Sequence, residues 1–509
     1  MKKKFIGLEG MSLQELASIA RDQVKVKLTE GSKKRILASR NLVEQWLKEE
    51  KAVYGITTGF GALSDVRISR LDTRKLQKNI LMSHACGVGN PFDEEIVRAV
   101  LALRIKDLAR GNSGIRLETV NFLVEILNRG VCPLIPEKGS VGASGDLAPL
   151  AHLGLVLIGL GEARYKNCSM SGKEALRLCG LSPLSLEAGE GLALLNGTQV
   201  MTGIGGLTVY DSLRLAKIID IAAAMSLEVL LGSRTEFDAR IHKLRPHPGQ
   251  ITAAGNMDRI IHDSEIISSH KDCGRIQDAY TLRCSPQVHG ASRDAIEYAM
   301  KTIETEINSS TNNPLIFPES GDFLLGGNFH GQPVALAMDF LGIAVSELAN
   351  ISERRIERLV NPKLSGLPAF LVNDGGLNSG FMIAQYTAAA LVSENKVLSH
   401  PASVDSIPTS ANKEDHVSMG TIAARKCREI VKNAEHVVAI ELLCGAQAMD
   451  LFTNIKPGKG TMAAYRAIRS TVKHLDNDRI LYKDIEALKQ LIQNEKILEA
   501  VEAEVGAIA

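Results

Sequence analysis

The chain has 509 residues, with 59 Lys and Arg against 58 Asp and Glu, 45% apolar residues, 4% aromatics, 44 glycines and 8 cysteines. That length suits about three domains or one large helical body, at roughly 150 residues per domain. A net charge of +1 leaves no excess of either sign to hold a polyanion or an anionic membrane surface, which argues against nucleic acid and membrane as partners.

With aromatics scarce, the core must come mainly from Leu, Ile, Val, Ala and Met, a palette that suits close helix packing, so the expected class is mainly all-α. The basic start Met1-Lys2-Lys3-Lys4 leads into an apolar stretch that ends at Glu9, too short for an export signal. The first helix is marked by the capping box Ser12-Leu13-Gln14-Glu15. Glycine-rich loops then alternate with helical stretches to about residue 200. The most apolar segment, residues 147–161, contains Pro149 and His152 and is shorter than the ~18 to 20 residues of a membrane span, so it reads as a buried helix.

Further along, Gln277, Tyr280 and Arg283 recur every three residues, which places an amide, a phenol and a guanidinium on one helical face that Pro286 stops. Ile296, Met300, Ile303 and Ile307 follow at spacings of four and three. Val334, Met338, Leu341, Val345 and Leu348 do the same in a helix opened by Pro333 and closed before Pro362. Such seams suit near-parallel helix packing. The expected architecture is a long central helical bundle with a looped N-terminal region. It divides as 1–200, carrying the loops, 201–430, the bundle, and 431–509, a C-terminal helical region whose last stretch from Leu481 reads as a surface or interface helix.

The eight cysteines, at 86, 132, 168, 179, 273, 284, 427 and 444, form no C-x-x-C pair and read as reduced thiols of a cytoplasmic protein. No metal is expected: there is no H-E-x-x-H, and His270 and Cys273 lack companions at ligand spacing. No pyridoxal-phosphate site is recognised either.

The most unusual segment is Gly139-Ser140-Val141-Gly142-Ala143-Ser144-Gly145-Asp146. It lacks the Lys-Ser/Thr of a P-loop, the spacing of a dinucleotide loop and the G-x-S-x-G elbow. Read as structure, it is a loop with Ser144 or Asp146 capping the next helix. Read as chemistry, Ala143-Ser144-Gly145 is small enough for the Gly145 amide to close onto the Ala143 carbonyl carbon. Loss of water, including the Ser144 hydroxyl, would leave an electrophilic exocyclic methylene.

The fourteen residues from Gly139 through Leu147-Ala148-Pro149-Leu150-Ala151-His152 resemble the signature of the aromatic amino acid ammonia-lyases, which carry the prosthetic group 4-methylideneimidazol-5-one (MIO). Tyr54-Gly55-Ile56-Thr57-Thr58-Gly59-Phe60-Gly61, Leu195-Asn196-Gly197-Thr198-Gln199, residues 277–283, Gly327-Asn328-Phe329-His330-Gly331 and Glu414-Asp415-His416-Val417-Ser418-Met419-Gly420 are similar too, so the likeness covers most of the chain and thins after about residue 430.

The resemblance implies a fumarase/aspartase-like helical fold, a homotetramer with active sites built from more than one subunit, and MIO formed from Ala143, Ser144 and Gly145. It gives catalytic roles to Tyr54, Tyr280, Asn196, Phe329 and Glu414. Tyr54 is the candidate base at the head of a glycine-rich lid, and Tyr280 is the second. Ser83, His84, Gln277, Arg283 and Asn313 would contact substrate, with Arg283 clamping an α-carboxylate bidentately.

Ser83-His84 and Glu414 resemble the histidine-selective branch, and a carboxylate can accept the imidazole N–H. A phenyl ring would leave those groups unpaired, at roughly 1 to 3 kcal/mol each. The implied reaction is elimination of ammonia from L-histidine to trans-urocanate, the first step of histidine degradation. Thr57 stands where that branch has Asn, and Lys413 and Asn312 replace Gln and Asp. A tyrosine or phenylalanine lyase, an aminomutase, and a non-catalytic relative that binds an amino acid or a partner protein therefore stay open.

Overall fold

Long runs of Leu, Ile, Val and Ala at helical spacing set the architecture. The computed structural model describes residues 3–64, 66–69, 72–271 and 273–509, and among them are 21 α-helices and only short strands, none over four residues. The mainly α-helical expectation is met. Of the basic N-terminal start, Met1 and Lys2 lie outside the described residues.

The chain forms two compact units. The first comprises Met1–Tyr210, Met300–Asp339 and Pro401–Arg425, and the second Asp211–Ala299, Phe340–His400 and Lys426–Ala509. Four long helices, Gln199–Val229, Ser285–Ile307, Gln332–Val360 and Gly420–Met449, each contribute residues to both.

In the first unit the capping box forms as the sequence predicts: Ser12 Oγ accepts the Glu15 amide at 3.2 Å, and Glu15 accepts the Ser12 amide. The helix behind it, Leu13–Arg21, buries Leu13, Leu16, Ile19 and Ala20. Close helix approach rests on small residues. A Cβ at Gly205 would lie 2.8 Å from Met338 Sδ and 3.0 Å from Ile303 Cδ1, and one at Gly206 would lie 2.7 Å from Leu16 Cδ2. The apolar segment after the glycine loop is the helix Leu147–Leu157, with Leu150, Leu153 and Val156 fully buried. A three-stranded antiparallel sheet, Cys132–Pro133, Glu162–Tyr165 and Cys168–Ser171, closes the unit beside it.

The seam Val334, Met338, Leu341, Val345 and Leu348 is entirely buried. Its helix, Gln332–Val360, is long and apolar enough to cross a membrane by length and composition, yet two thirds of that stretch (67%) is buried within the protein.

The second unit holds charged groups inside its helical packing. Arg355 and Glu441, neither exposed, pair at 2.5 and 3.0 Å, and the Ser226 and Ser352 hydroxyls each donate to Glu441 at 2.7 Å. His289 donates to Asp220 at 2.7 Å, and Arg293 and Asn256 donate to the same carboxylate. Every oxygen of these carboxylates is thus paired, which a buried charge requires.

Glu228 is different. It is fully buried near the end of its long helix, accepts the Gly458 amide at 2.7 Å, and has no cation among the groups that act on it. Burial pushes its carboxyl up to about 7 against the favourable hydroxyls of Ser264 and Thr461. The folded state therefore binds a proton that the unfolded chain releases near 4.5, so the contribution of Glu228 to stability falls as pH rises from about 4.5 to about 7 and is flat beyond. Glu228→Gln should remove that slope: melting temperatures at pH 5 and pH 8 should show the variant gaining on the parent at pH 8, by an amount on the order of 3 kcal/mol at most.

Candidate active site

The segment 139–146 is held from both ends. Gly142 and Gly145 have φ of +67° and +72°, where side chains are strained, and neither has room for one. A Cβ on Gly142 would sit 2.2 Å from Ser418 Oγ, and one on Gly145 would sit 2.1 Å from the Gly197 carbonyl oxygen. The Asp146 amide donates to that same carbonyl at 2.8 Å. On the other side Met419 N donates to Val141 O at 2.9 Å and Ser418 Oγ donates to Gly142 O at 2.9 Å.

Asp146 occupies the cap position of Leu147–Leu157, but its side chain does not cap that helix. Instead it accepts the amides of Val200 and Met201, both at 2.9 Å, in the first turn of Gln199–Val229. Ser140 donates to its other oxygen at 3.0 Å, as does Thr421. The local capping read from sequence is thus replaced by capping of a helix about fifty residues on, because the loop turns Asp146 inward to full burial. Burial raises its carboxyl above the ordinary range, and these donors oppose the rise.

Ser144, at the tip, is half-buried and donates to Glu414 Oε1 at 3.1 Å. Glu414 follows a tight turn in which Ser410, Ala411 and Asn412 all have positive φ, 52°, 52° and 65°. Three consecutive non-glycine residues there cost about 1 to 2 kcal/mol each. The turn meets the Tyr54 loop, since a Cβ on Gly61 would lie 3.0 Å from Ser410 Oγ, and Gly61 N donates to the Tyr54 hydroxyl at 3.0 Å. Thr57, where the histidine-selective pattern has Asn, is used locally: its hydroxyl donates to Lys51 O at 2.9 Å and accepts the Val53 amide at 2.8 Å.

Asn196, 4% exposed, donates to Asn313 O at 2.8 Å, and Asn313 Oδ1 accepts the Gly326 amide. Behind them lies the ion pair Arg104 and Asp107, almost wholly buried. Arg104 donates to Asn196 O at 2.6 Å, and Asp107 accepts from Thr311 N, Asn312 Nδ2 and Gln199 Nε2. Nothing in the sequence marked this pair, whose contacts span up to 205 positions.

Ser83 Oγ lies 3.0 Å from His84 Nδ1. Burial holds His84 below its ordinary value, against the Ile80 carbonyl and the opposing charge of Glu414. Phe329 is half-buried rather than part of the core. Its neighbour His330 stacks on His416, centroids 5.5 Å apart, and Gly331 packs against Met201 and Ser418.

The first unit therefore brings together Ser144, Glu414, Asn196 and Asn313, with His84 within electrostatic reach of Glu414. Gln277, Tyr280 and Arg283 belong to the second unit. They do not share one helical face. Gln277 lies in irregular chain, Tyr280–Arg283 is a single turn, and Pro286 opens the next helix, Ser285–Ile307, rather than stopping this one. Proline fits a first turn because its missing N–H would be unpaired there anyway. Gln277 and Arg283 line a cleft of about 580 Å³ with His270, Arg275 and Gln287. The Arg283 guanidinium stacks 5.2 Å over the Tyr280 ring, which is 71% exposed. Among the described residues no group of three or more His, Cys, Asp or Glu is placed to hold a metal ion.

The family model "Aromatic amino acid lyase" matches residues 11–470. A relative from Alkaliphilus oremlandii named histidine ammonia-lyase is 58% identical over 502 residues, 99% of each chain. Among solved structures, histidine ammonia-lyase from Trypanosoma cruzi is 41% identical, with a TM-score of 0.93 over 99% of this chain and 96% of its own. Tyrosine aminomutase from Streptomyces globisporus is 37% identical, with a TM-score of 0.94 over 99% of both. With helices, glycine-framed loop and long matched span in agreement, the chain belongs to the aromatic amino acid lyase family.

Proposed function

We propose that the chain is a histidine ammonia-lyase, eliminating ammonia from L-histidine to give trans-urocanate as the first step of histidine degradation. The observation that carries the reading is the meeting of Ser144, in its glycine-framed loop, with Glu414, within whose field His84 lies. The name carried by the 58%-identical relative points the same way.

The residues at 143–145 fit the MIO group, since both flanking glycines are free of side chains in space that would not admit them. Forming it would join Gly145 N to the Ala143 carbonyl carbon with loss of that oxygen as water. A second water would take the Ser144 hydroxyl and its α-hydrogen. The group supplies an electrophile that makes the substrate amine a better leaving group. Around it, Tyr54 takes the β-proton, Asn196 and Asn313 hold the amine side, and Phe329 walls the pocket. Ser83, His84 and Glu414 pair with the imidazole.

Gln277, Tyr280 and Arg283 complete the site from a neighbouring copy in a homotetramer, Arg283 binding the carboxylate and Tyr280 relaying a proton. Exposed Tyr280, Ile276 at 96%, and the stripe Leu336, Phe340 and Ile343 support such an assembly, because a stable monomer seldom leaves them bare. The eight free cysteines suit the cytoplasm.

Purified protein given L-histidine should gain ultraviolet absorbance as urocanate accumulates; cinnamate or coumarate from Phe or Tyr, with no histidine signal, would overturn the substrate, and a β-amino acid would indicate an aminomutase. Ser144→Ala should lose activity by several orders of magnitude and run at its own calculated mass, whereas the parent runs lighter than its calculated mass by roughly 36 Da, two waters. Unchanged mass and activity would defeat the reading, and a parent at full mass would favour a binding protein. His84→Leu should raise the KM for L-histidine roughly tenfold, measured by initial rates, by leaving the imidazole unpaired.

A further inference from the structure

Glu414 has two carboxylate oxygens and two side-chain donors. Ser144 donates to Oε1 at 3.1 Å and Thr409 Oγ1 donates to Oε2 at 2.9 Å. Thr409 is also its backbone partner: Thr409 N donates to Glu414 O at 2.9 Å and Glu414 N to Thr409 O at 3.3 Å. Directly opposed residues in such an antiparallel bridge send their side chains to the same face. The left-handed turn Ser410–Asn412 closes the bridge, with Lys413 N donating to Ser410 O at 3.0 Å, and so fixes which residue opposes Glu414.

We propose that Thr409 is a positioning residue that locks the Glu414 carboxylate so that Oε1 alone faces the substrate. The inference rests on the proposed reading of Glu414 as the acceptor of the imidazole N–H. In that reading the Ser144 hydroxyl leaves as water during maturation, so Oε1 loses its donor and becomes free for substrate. Oε2 stays held by Thr409. The terminal torsion of a glutamate is broad and roughly two-fold, so without that hydroxyl the carboxylate samples several orientations, and ordering it falls on substrate binding. The strain of the turn is used here to place one hydroxyl.

The test uses the full-length protein as Thr409→Val, Thr409→Ala and Thr409→Ser beside Glu414→Gln, with intact mass and steady-state kinetics on L-histidine. Val and Ala should keep the two-water mass deficit, raise KM roughly 3- to 10-fold and leave kcat within about 2-fold. Ser, which keeps the hydroxyl, should return KM to the parental value. An unchanged KM in both Val and Ala, a fall in kcat at constant KM, or loss of the mass deficit would each overturn the proposal, the last two because they report damage to the fold or to maturation. Glu414→Gln separates the two claims. If it alters KM and the Thr409 variants do not, Thr409 is not the positioning residue; if it leaves KM unchanged, the reading of Glu414 itself fails.

Discussion

Asp146 is the constraint on which the site depends. Its carboxylate is fully buried and accepts two backbone amides from the first turn of Gln199–Val229 and two hydroxyls, from Ser140 and Thr421. One side chain thus ties together the glycine loop, the start of a 31-residue helix and the segment 417–421. The positive end of that helix favours a negative group at this point. Each oxygen has two donors, so only the loss of both hydroxyls or both amides would leave a buried oxygen unpaired, at about 1 to 3 kcal/mol. With Asp146 fixed, Gly145 is forced against Gly197, and only glycine fits there.

Burial separates the residues proposed to act from those that hold them. Ser144, Tyr54, His84, Phe329 and Glu414 are half-buried, whereas Asp146, Asn196, Arg104, Asp107 and Ser140 are buried. In the proposed reading the acting side chains are reachable while their anchors are shielded from competing water, as preorganised catalysis requires. Arg104 and Asp107 do for the Asn196 side what Asp146 does for the Ser144 side. In the Arg104–Asp107 pair, losing one partner would leave the other charge buried. The left-handed turn before Glu414 adds a third anchor, made of backbone strain rather than charge.

Local signals are legible in the sequence. Ser12 and Glu15 form their capping box, the seam from Val334 to Leu348 is buried, and Gly142 and Gly145 stand where no side chain fits. The capping box needs only neighbours within a few positions, the seam only a repeat along one helix, and the glycines only their own lack of a side chain. What escaped depends on distance. Asp146 reads as a local cap because its true partners lie 54 and 55 positions away. Thr409 carries no mark, since three left-handed residues without a glycine have no signature in composition. Pro286 reads as a stop because a proline ends one helix and opens the next with equal ease, and only tertiary packing chooses.

In the proposed reading, buried Asp146 holds Ala143-Ser144-Gly145 in the shape from which MIO would form. The most direct measurement is the mass of the peptide spanning these three residues, cut from the parent and from Asp146→Asn that remains helical by circular dichroism. The account predicts a parent peptide lighter by about 36 Da and an Asp146→Asn peptide that is largely unmodified. An Asp146→Asn peptide as fully dehydrated as the parent's would contradict it.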